Sequence, residues 1–353
     1  MRGWRAGLRN AITDVEGLHV GSAEDRAVRT GVTVLTADRD HEPFMAAVDV
    51  RGGAPGTRET DLLAPGSTVE RVHALVLSGG SAHGLDAAGG VVNAMRDRGV
   101  GFPVGPVRVP IVPAAILFDL LNGERWTKPP WRQLGREALY AATNDVAIGS
   151  VGAGTGATTA DARGGLGTAS TVLPPMDGLP EGATVGALVA VKAGGSGLAD
   201  GGPRFLAGAF ERDGEFGGLG APEGLPGYRI KFRGEGQSGG PPPGSATTIG
   251  VVATDVTLDR AGCMRLAVAA QDGLARAIWP AHTPLDGDLV FGVSMEAAPK
   301  PEGSAMIDLS AAAAECMARA VARGVHAASI EPDGADEVLA WSALFPEQAR
   351  ASR

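Results

Sequence analysis

Short apolar runs alternate along this chain with segments whose apolar residues recur every three to four positions. The runs Gly31–Leu35, Ala46–Val50, His73–Leu77, Thr184–Val191, Phe205–Phe210, Thr248–Thr254 and Asp288–Ser294 predict strands, many of them rich in the β-branched residues that suit a pleated surface. Helical spacing predicts helices over Leu85–Arg96, Arg132–Ala142, Asp259–Ile278, Leu309–Arg323 and Asp336–Leu344. In the third of these, Met264, Ala267, Ala270, Leu274 and Ile278 fall on one face. The fourth is expected to stop at Gly324, since glycine is common just past a helix end. Several strands read as buried on both faces, and Asp213-Gly214 signals an antiparallel hairpin. Buried antiparallel sheets flanked by helices predict an α/β (α+β) chain with two sheets sandwiched between helical layers. No repeat or interdomain linker breaks the pattern, so residues 1–353 read as a single domain.

Composition narrows the class. The chain has 353 residues and 44% hydrophobic content, which is globular. Its 54 glycines are about twice the average share of ~7%, pointing to tight turns and close backbone approaches. A net charge of -9 with no dense Lys/Arg block argues against nucleic acid or an anionic membrane as partner. Arg2, Arg5 and Arg9 are not followed by an apolar stretch, so no secretory signal is expected. The Ala-rich stretch from Ala311 is broken by Glu315, Arg319 and Arg323 and reads as no membrane span. Cys263 and Cys316 have no metal-type spacing; two reduced, buried thiols fit a cytoplasmic location.

The chemistry concentrates where a Gly/Pro segment meets a strand. Gly234 to Gly244 reads GEGQSGGPPPG and leads through Ser245-Ala246 into Thr247-Thr248-Ile249-Gly250-Val251-Val252-Ala253-Thr254-Asp255. The first part holds neither helix nor central strand. The second is a core strand opened by a hydroxyl. Cleavage at Ala246–Thr247 would free an α-amine able to act as base for the Thr247 hydroxyl. Local sequence alone also fits a plain loop-to-strand junction. Asp286-Gly287-Asp288 reads first as a turn; in extended chain its two carboxylates share one side and could orient an N-terminal threonine. Lys192, one of only four lysines, ends the run Ala187–Val191, where the default is a side chain reaching to water. Gly152-Ala153-Gly154-Thr155-Gly156-Ala157 matches the dinucleotide pattern, but no apolar helical stripe follows, so a Rossmann site is rejected. His83 and His282 are isolated, and no HExxH, Cys-His cluster or G-x-S-x-G elbow occurs; no metal or other cofactor is expected.

The chain resembles the DmpA-like L-aminopeptidase/D-esterases, a family that includes β-aminopeptidases and nylon-oligomer hydrolases. The resemblance runs over nearly the whole chain. It is carried by Ala11-Ile12-Thr13-Asp14-Val15, Thr30–Val34, Val50-Arg51-Gly52-Gly53-Ala54-Pro55-Gly56-Thr57-Arg58-Glu59-Thr60, Leu77–Ala82 and Val109–Pro113. The Gly152–Ala157, Gly164–Gly167, Thr247–Asp255 and Asp286–Asp288 blocks complete it. It implies a four-layer αββα sandwich, as in the ornithine acetyltransferases, and self-cleavage into chains 1–246 and 247–353 with Thr247 as nucleophile. Asp286 and Asp288 match the family's acidic or hydroxyl positions beside the nucleophile. Phe118 matches a pocket tyrosine of some members and, with Asp161 and Ser81, is expected to line the substrate site. The sequence departs at three places: Ala246 stands where the family often has Asn or Gly, Lys192 where it has an oxyanion-binding Asn, and Asp161 where it has a Lys. Tetramers of processed pairs are implied.

The leading expectation is a self-processing N-terminal-threonine hydrolase that cleaves small peptides, amides or esters, with Lys192 taking over the asparagine's role. Acyl transfer of the ornithine acetyltransferase type and a non-catalytic scaffold are the alternatives.

Overall fold

In the computed structural model, described here over residues 3–38, 42–121, 123–199, 201–224, 227–231, 246–329 and 338–351, two sheets lie face to face between two helical layers. The strands are β1 (Leu18–Asp25), β2 (Thr30–Ala37), β3 (Phe44–Val50), β4 (Thr57–Arg58), β5 (Arg71–Val72), β6 (Ala74–Ser78), β7 (Phe102–Val104), β8 (Val107–Val109), β9 (Ala114–Ile116), β10 (Gly165–Val172), β11 (Thr184–Lys192), β12 (Thr247–Val256) and β13 (Leu289–Ala298). One sheet has the order β1-β2-β6-β9-β4, the other β10-β11-β12-β13-β3-β5, and β7 and β8 form a separate ribbon. The helices are α1 (Ser81–Gly84), α2 (Asp86–Asp97), α3 (Trp131–Tyr140), α4 (Arg260–Ala277), α5 (Ala305–His326), α6 (Trp341–Leu344) and α7 (Pro346–Ala351).

Each layer boundary is an apolar core. Leu35, Leu75 and Leu77 of one sheet meet Leu188, Ile249, Val251 and Phe291 of the other. Alternate residues Val185, Val189, Val252 and Val290 face the opposite way, onto Leu266, Ala270 and Leu274 of α4 and Ala313 and Met317 of α5. Val32, Val34 and Val76 pack on Ala87, Val91, Leu134 and Ala138 of α2 and α3. Burial on both faces explains why these strands read as continuous apolar runs. Asp259 caps α4, its Oδ1 accepting from the Gly262 N–H at 2.8 Å.

Five expectations need correction. The sheets are mixed rather than antiparallel throughout: β12 pairs β13 and β6 pairs β9 in parallel, because α4 and α2 lie on the connections between those partners. Phe205–Phe210 is a 3-10 helix over Leu206–Phe210, not a strand. A bent chain lets Phe205 join Phe216 and Trp341, at ring centroids of 5.5 and 5.9 Å, while Phe210 lies under Arg276. Asp213-Gly214 does take left-handed φ values of 51° and 70°, but its flanks are not strands. The Glu211 carboxylate instead ties the loop through the Phe216 and Gly218 N–H groups. Gly324 lies inside α5, which runs on to His326. It serves a close approach: a Cβ there would sit 2.9 Å from the Gly167 nitrogen of β10. Of the segment Asp336–Leu344, only Trp341–Leu344 is helical, and 336–337 lie outside the described residues, as does Gly234–Ser245.

Candidate active site

The register of the larger sheet assembles the site. Lys192, the last residue of β11, is the direct partner of Thr247, the first residue of β12. The parallel β12–β13 pair places the Asp286–Asp288 loop beside the same end, with Ala246 bridged to Asp286. Thr247, Lys192, Asp286 and Asp288 are all buried, at 3% exposure or less. Residues far apart in sequence are therefore buried together because the ends of β11, β12 and β13 coincide.

The backbone around Ala246–Thr247 is tightly specified. The Ala246 carbonyl oxygen accepts from the Gly287 N–H at 3.0 Å and from the Thr247 hydroxyl at 2.5 Å. Asp288 Oδ1 accepts from the Thr248 N–H at 2.6 Å, and its Oδ2 accepts from the His282 N–H at 3.1 Å and lies 2.9 Å from His282 Nδ1. Burial alone would lower the His282 pKa, but the hydrogen bond and charge of Asp288 leave it raised. Asp286 accepts from the Thr283 N–H at 2.7 Å and the Gly194 N–H at 3.3 Å. Burial, then the neighbouring Asp288, raises its pKa.

Lys192 is buried among charged and aromatic groups. Its ammonium lies 5.8 Å from the centre of the Phe118 ring. Burial brings its pKa down to about 8, against the opposing pull of a hydrogen bond with Lys231 and the charges of Asp119 and Asp286. Asp119, which follows β9, is fully buried, and its Oδ1 accepts from the Gly80 N–H at 2.7 Å. Burial pushes its carboxyl up to about 6; Gly80, the Thr30 hydroxyl and Lys192 draw it partway back.

Among the residues singled out from sequence, Thr247, Lys192, Asp286, Asp288 and Phe118 come together. Asp161 stands to one side: its Oδ2 accepts from the Ser196 hydroxyl at 2.6 Å, its Oδ1 from Thr159 at 3.3 Å, and burial raises its pKa. The carboxylates that act on Lys192 are Asp119 and Asp286. Ser81 opens α1 next to Gly80, with φ 52° and its N–H on the Leu117 carbonyl at 2.9 Å. Asp119, Lys231 and His282 were not singled out as site residues. Asp119 directly follows the Phe118 match and was the easiest of the three to find.

Among the described residues no group of His, Cys, Asp and Glu is arranged to hold a metal ion, and no helix is long and apolar enough to cross a membrane. Enclosed carboxylates, a buried ammonium and a backbone N–H aimed at a carbonyl oxygen are the parts that acyl-transfer chemistry uses.

Comparison with known proteins agrees with that chemistry. The model of peptidase family S58 matches residues 10–336. An uncharacterized aminopeptidase of Mycobacterium tuberculosis (strain ATCC 25618 / H37Rv) is 43% identical over 342 residues, covering 90% of this chain and 93% of its own. The fold is similar to that of a beta-aminopeptidase from Burkholderia sp., with a TM-score of 0.71 at 24% identity over 99% of this chain and 95% of that one. It is also similar to the L-aminopeptidase D-Ala-esterase/amidase from Ochrobactrum anthropi, described as a variant of the Ntn hydrolase fold, with a TM-score of 0.70 at 22% identity over 98% and 96% of the two chains. The chain belongs to peptidase family S58 and is a hydrolase built on the Ntn-hydrolase fold.

Proposed function

We propose that this protein is a self-processing N-terminal-threonine aminopeptidase or amidase. The observation that carries the reading is the Ala246 carbonyl, which meets both the Thr247 hydroxyl at 2.5 Å and the Gly287 N–H at 3.0 Å. In the first step the Thr247 oxygen bonds to the Ala246 carbonyl carbon, the C–N bond to Thr247 breaks, and the nitrogen takes up a proton. Water then releases residues 1–246 and leaves Thr247 with a free amine. In turnover that amine accepts the hydroxyl proton as the oxygen attacks a substrate carbonyl, the proton passes to the leaving amine, and water then hydrolyses the acyl ester on Thr247 to release the acid and restore the hydroxyl. Lys192 stabilises the oxyanion in the role an asparagine fills in similar proteins. Asp286 and Asp288 hold the Thr247 segment, and Asp119 offers a carboxylate for a substrate's free amine. Phe118, Ser81 and Asp161 line the approach.

Small peptides, amides or esters with a free amine are the expected substrates. Acyl transfer of the ornithine acetyltransferase type is the weaker reading, because the family and the relative quoted above are peptidases. A non-catalytic scaffold is motivated only by the departures at Asp161 and Lys192. The buried, unpaired Cys263 and Cys316 support a cytoplasmic setting, and the exposed Phe102, Val104, Val107 and Val109 of the β7–β8 ribbon offer an apolar surface for assembly into tetramers of cleaved pairs. Mass spectrometry under denaturing conditions tests the proposal. Two fragments are expected, the smaller beginning at Thr247, and Thr247→Ala should remain one chain. Wild-type protein that stays full-length after long incubation at neutral pH overturns it.

A further inference from the structure

The chain has only four lysines among its 31 basic residues. Lys128 and Lys300 are exposed, whereas the other two, Lys192 and Lys231, meet beside Thr247. Arginine serves almost everywhere else as the cation. Lysine is the basic residue that gives up its proton when buried; arginine does not. Two lysines in contact inside a protein therefore form a pair in which the second proton is strongly disfavoured.

Lys231 is anchored on both its backbone and its side chain. Its N–H donates to the Gly194 carbonyl at 2.7 Å, and the Gly194 N–H in turn donates to Asp286. Its amine reaches the Thr158 carbonyl at 3.2 Å and the Thr158 hydroxyl. Thr158 and Gly194 both precede the proposed cut, so these contacts do not depend on whether the chain is intact. Among the described residues, the groups that act on Lys192 include Asp119 from the loop after β9, Asp286 from the loop before β13, the Phe118 ring and Lys231; Thr247 is its partner on β12. Both carboxylates act on Lys192, whereas burial and the Lys192 charge push the Lys231 amine well below the ordinary lysine value. The shared proton thus resides on Lys192.

We infer that Lys231 is a positioning residue for the hydrolytic reaction: anchored on Gly194 and Thr158, its amine accepts a hydrogen bond from the Lys192 ammonium and fixes that ammonium beside Thr247. The inference rests on the reading of Lys192 as oxyanion stabiliser. It gives the site a cation that stays protonated near neutral pH yet is held in place as an asparagine side chain would be. A single buried lysine here would lose its proton earlier and be free to swing.

The test is a lysine ε-13C NMR titration of the full chain in the uncleaved Thr247→Ala form, where the four lysines give four signals. In Thr247→Ala the Lys192 signal should titrate near 8. Adding Lys231→Met should lower that value by about one pH unit, the size of one lost hydrogen bond to a charged group. No change, or a rise, overturns the inference. In the active protein, Lys231→Met should move the alkaline limb of kcat to lower pH by the same amount, and Lys231→Gln, which keeps an acceptor, should restore part of the shift. If Lys192→Ala turns over normally, the oxyanion reading fails by itself. If Lys192→Ala is inactive but Lys231→Met leaves the alkaline limb in place, only the positioning role fails.

Discussion

The Gly287 amide donates to the Ala246 carbonyl oxygen at 3.0 Å while its Cα faces the Thr247 hydroxyl. A Cβ at position 287 would lie 2.8 Å from Thr247 Oγ1 and 2.8 Å from the Ala54 carbonyl oxygen. Glycine is therefore required by space rather than by turn type. Gly287→Ala should fold but displace either the donor or the hydroxyl. Cleavage at Ala246–Thr247, followed by denaturing gel electrophoresis over hours, should slow by about 10²-fold or more, the usual loss when an oxyanion donor is misplaced. Cleavage at the wild-type rate would remove Gly287 from the reaction.

Lys192→Ala should lower turnover of an amino-acid anilide by roughly 10²–10³-fold. Lys192→Asn should recover part of it, because an amide can still donate to an oxyanion without carrying charge. Equal rates in Lys192→Ala and wild type would mean that the ammonium only fills space under Phe118.

Asp288 links the Thr248 N–H to His282, so the backbone directly after the proposed nucleophile rests on one carboxylate. Asp288→Asn keeps the volume but offers one acceptor oxygen where the carboxylate used two. Processing or kcat should fall, and thermal unfolding of the uncleaved Thr247→Ala background should change by only a few degrees. Wild-type kcat in cleaved Asp288→Asn would show that the carboxylate is not needed.

A pH effect on stability follows from Asp119. Its folded pKa of about 6 lies above its ordinary 3.8, so the fold favours the neutral acid. That contribution is full below 3.8 and is lost as pH rises through about 6. In the Thr247→Ala background, adding Asp119→Asn should remove this downward component, so urea midpoints of the two proteins should diverge between pH 4 and 7, with the asparagine variant gaining. Parallel curves would show that Asp119 is not a buried acid.

Far from the site, Arg319 of α5 is fully buried and bound bidentately to Glu215 at 2.6 and 3.0 Å, with further donations to the Ser170 carbonyl and Asn10. Glu215→Ala leaves that guanidinium without its main counter-charge and should cost about 3–5 kcal/mol. Chemical denaturation of the Thr247→Ala background measures it, and a loss under about 1 kcal/mol would mean that Glu315 has taken Glu215's place.

The strands that carry the site were legible as apolar β-branched runs, since β2, β3, β6, β11, β12 and β13 are buried on both faces. β10 was missed because Gly165-Leu166-Gly167-Thr168-Ala169-Ser170-Thr171-Val172 trades bulk for closeness to α5: a Cβ on Gly167 would lie 1.9 Å from the Ala320 carbonyl oxygen. A strand shaped by a helix pressing on it has small, polar residues and resembles a loop. Thr247, Asp286 and Asp288 were marked by the family resemblance, since their local sequence alone fits a loop-to-strand junction and a turn. Asp119 and Lys231 were not marked, because their importance comes only from being packed against Lys192 across strand ends far apart in sequence.

The position of β12 between β11 and β13 also governs how the protein, if cut as proposed, could be rebuilt once it loses its structure. The first 246 residues supply β10, β11 and β3; the last 107 supply β12, β13, α4 and α5, and neither set holds a complete central layer. After cleavage, folding would no longer be a search within one chain but a meeting of two molecules, with a rate that depends on concentration. A cut at the proposed site would therefore commit each molecule to the structure it already has: refolding of the intact chain would not depend on dilution, while reassembly of a denatured, cleaved pair would.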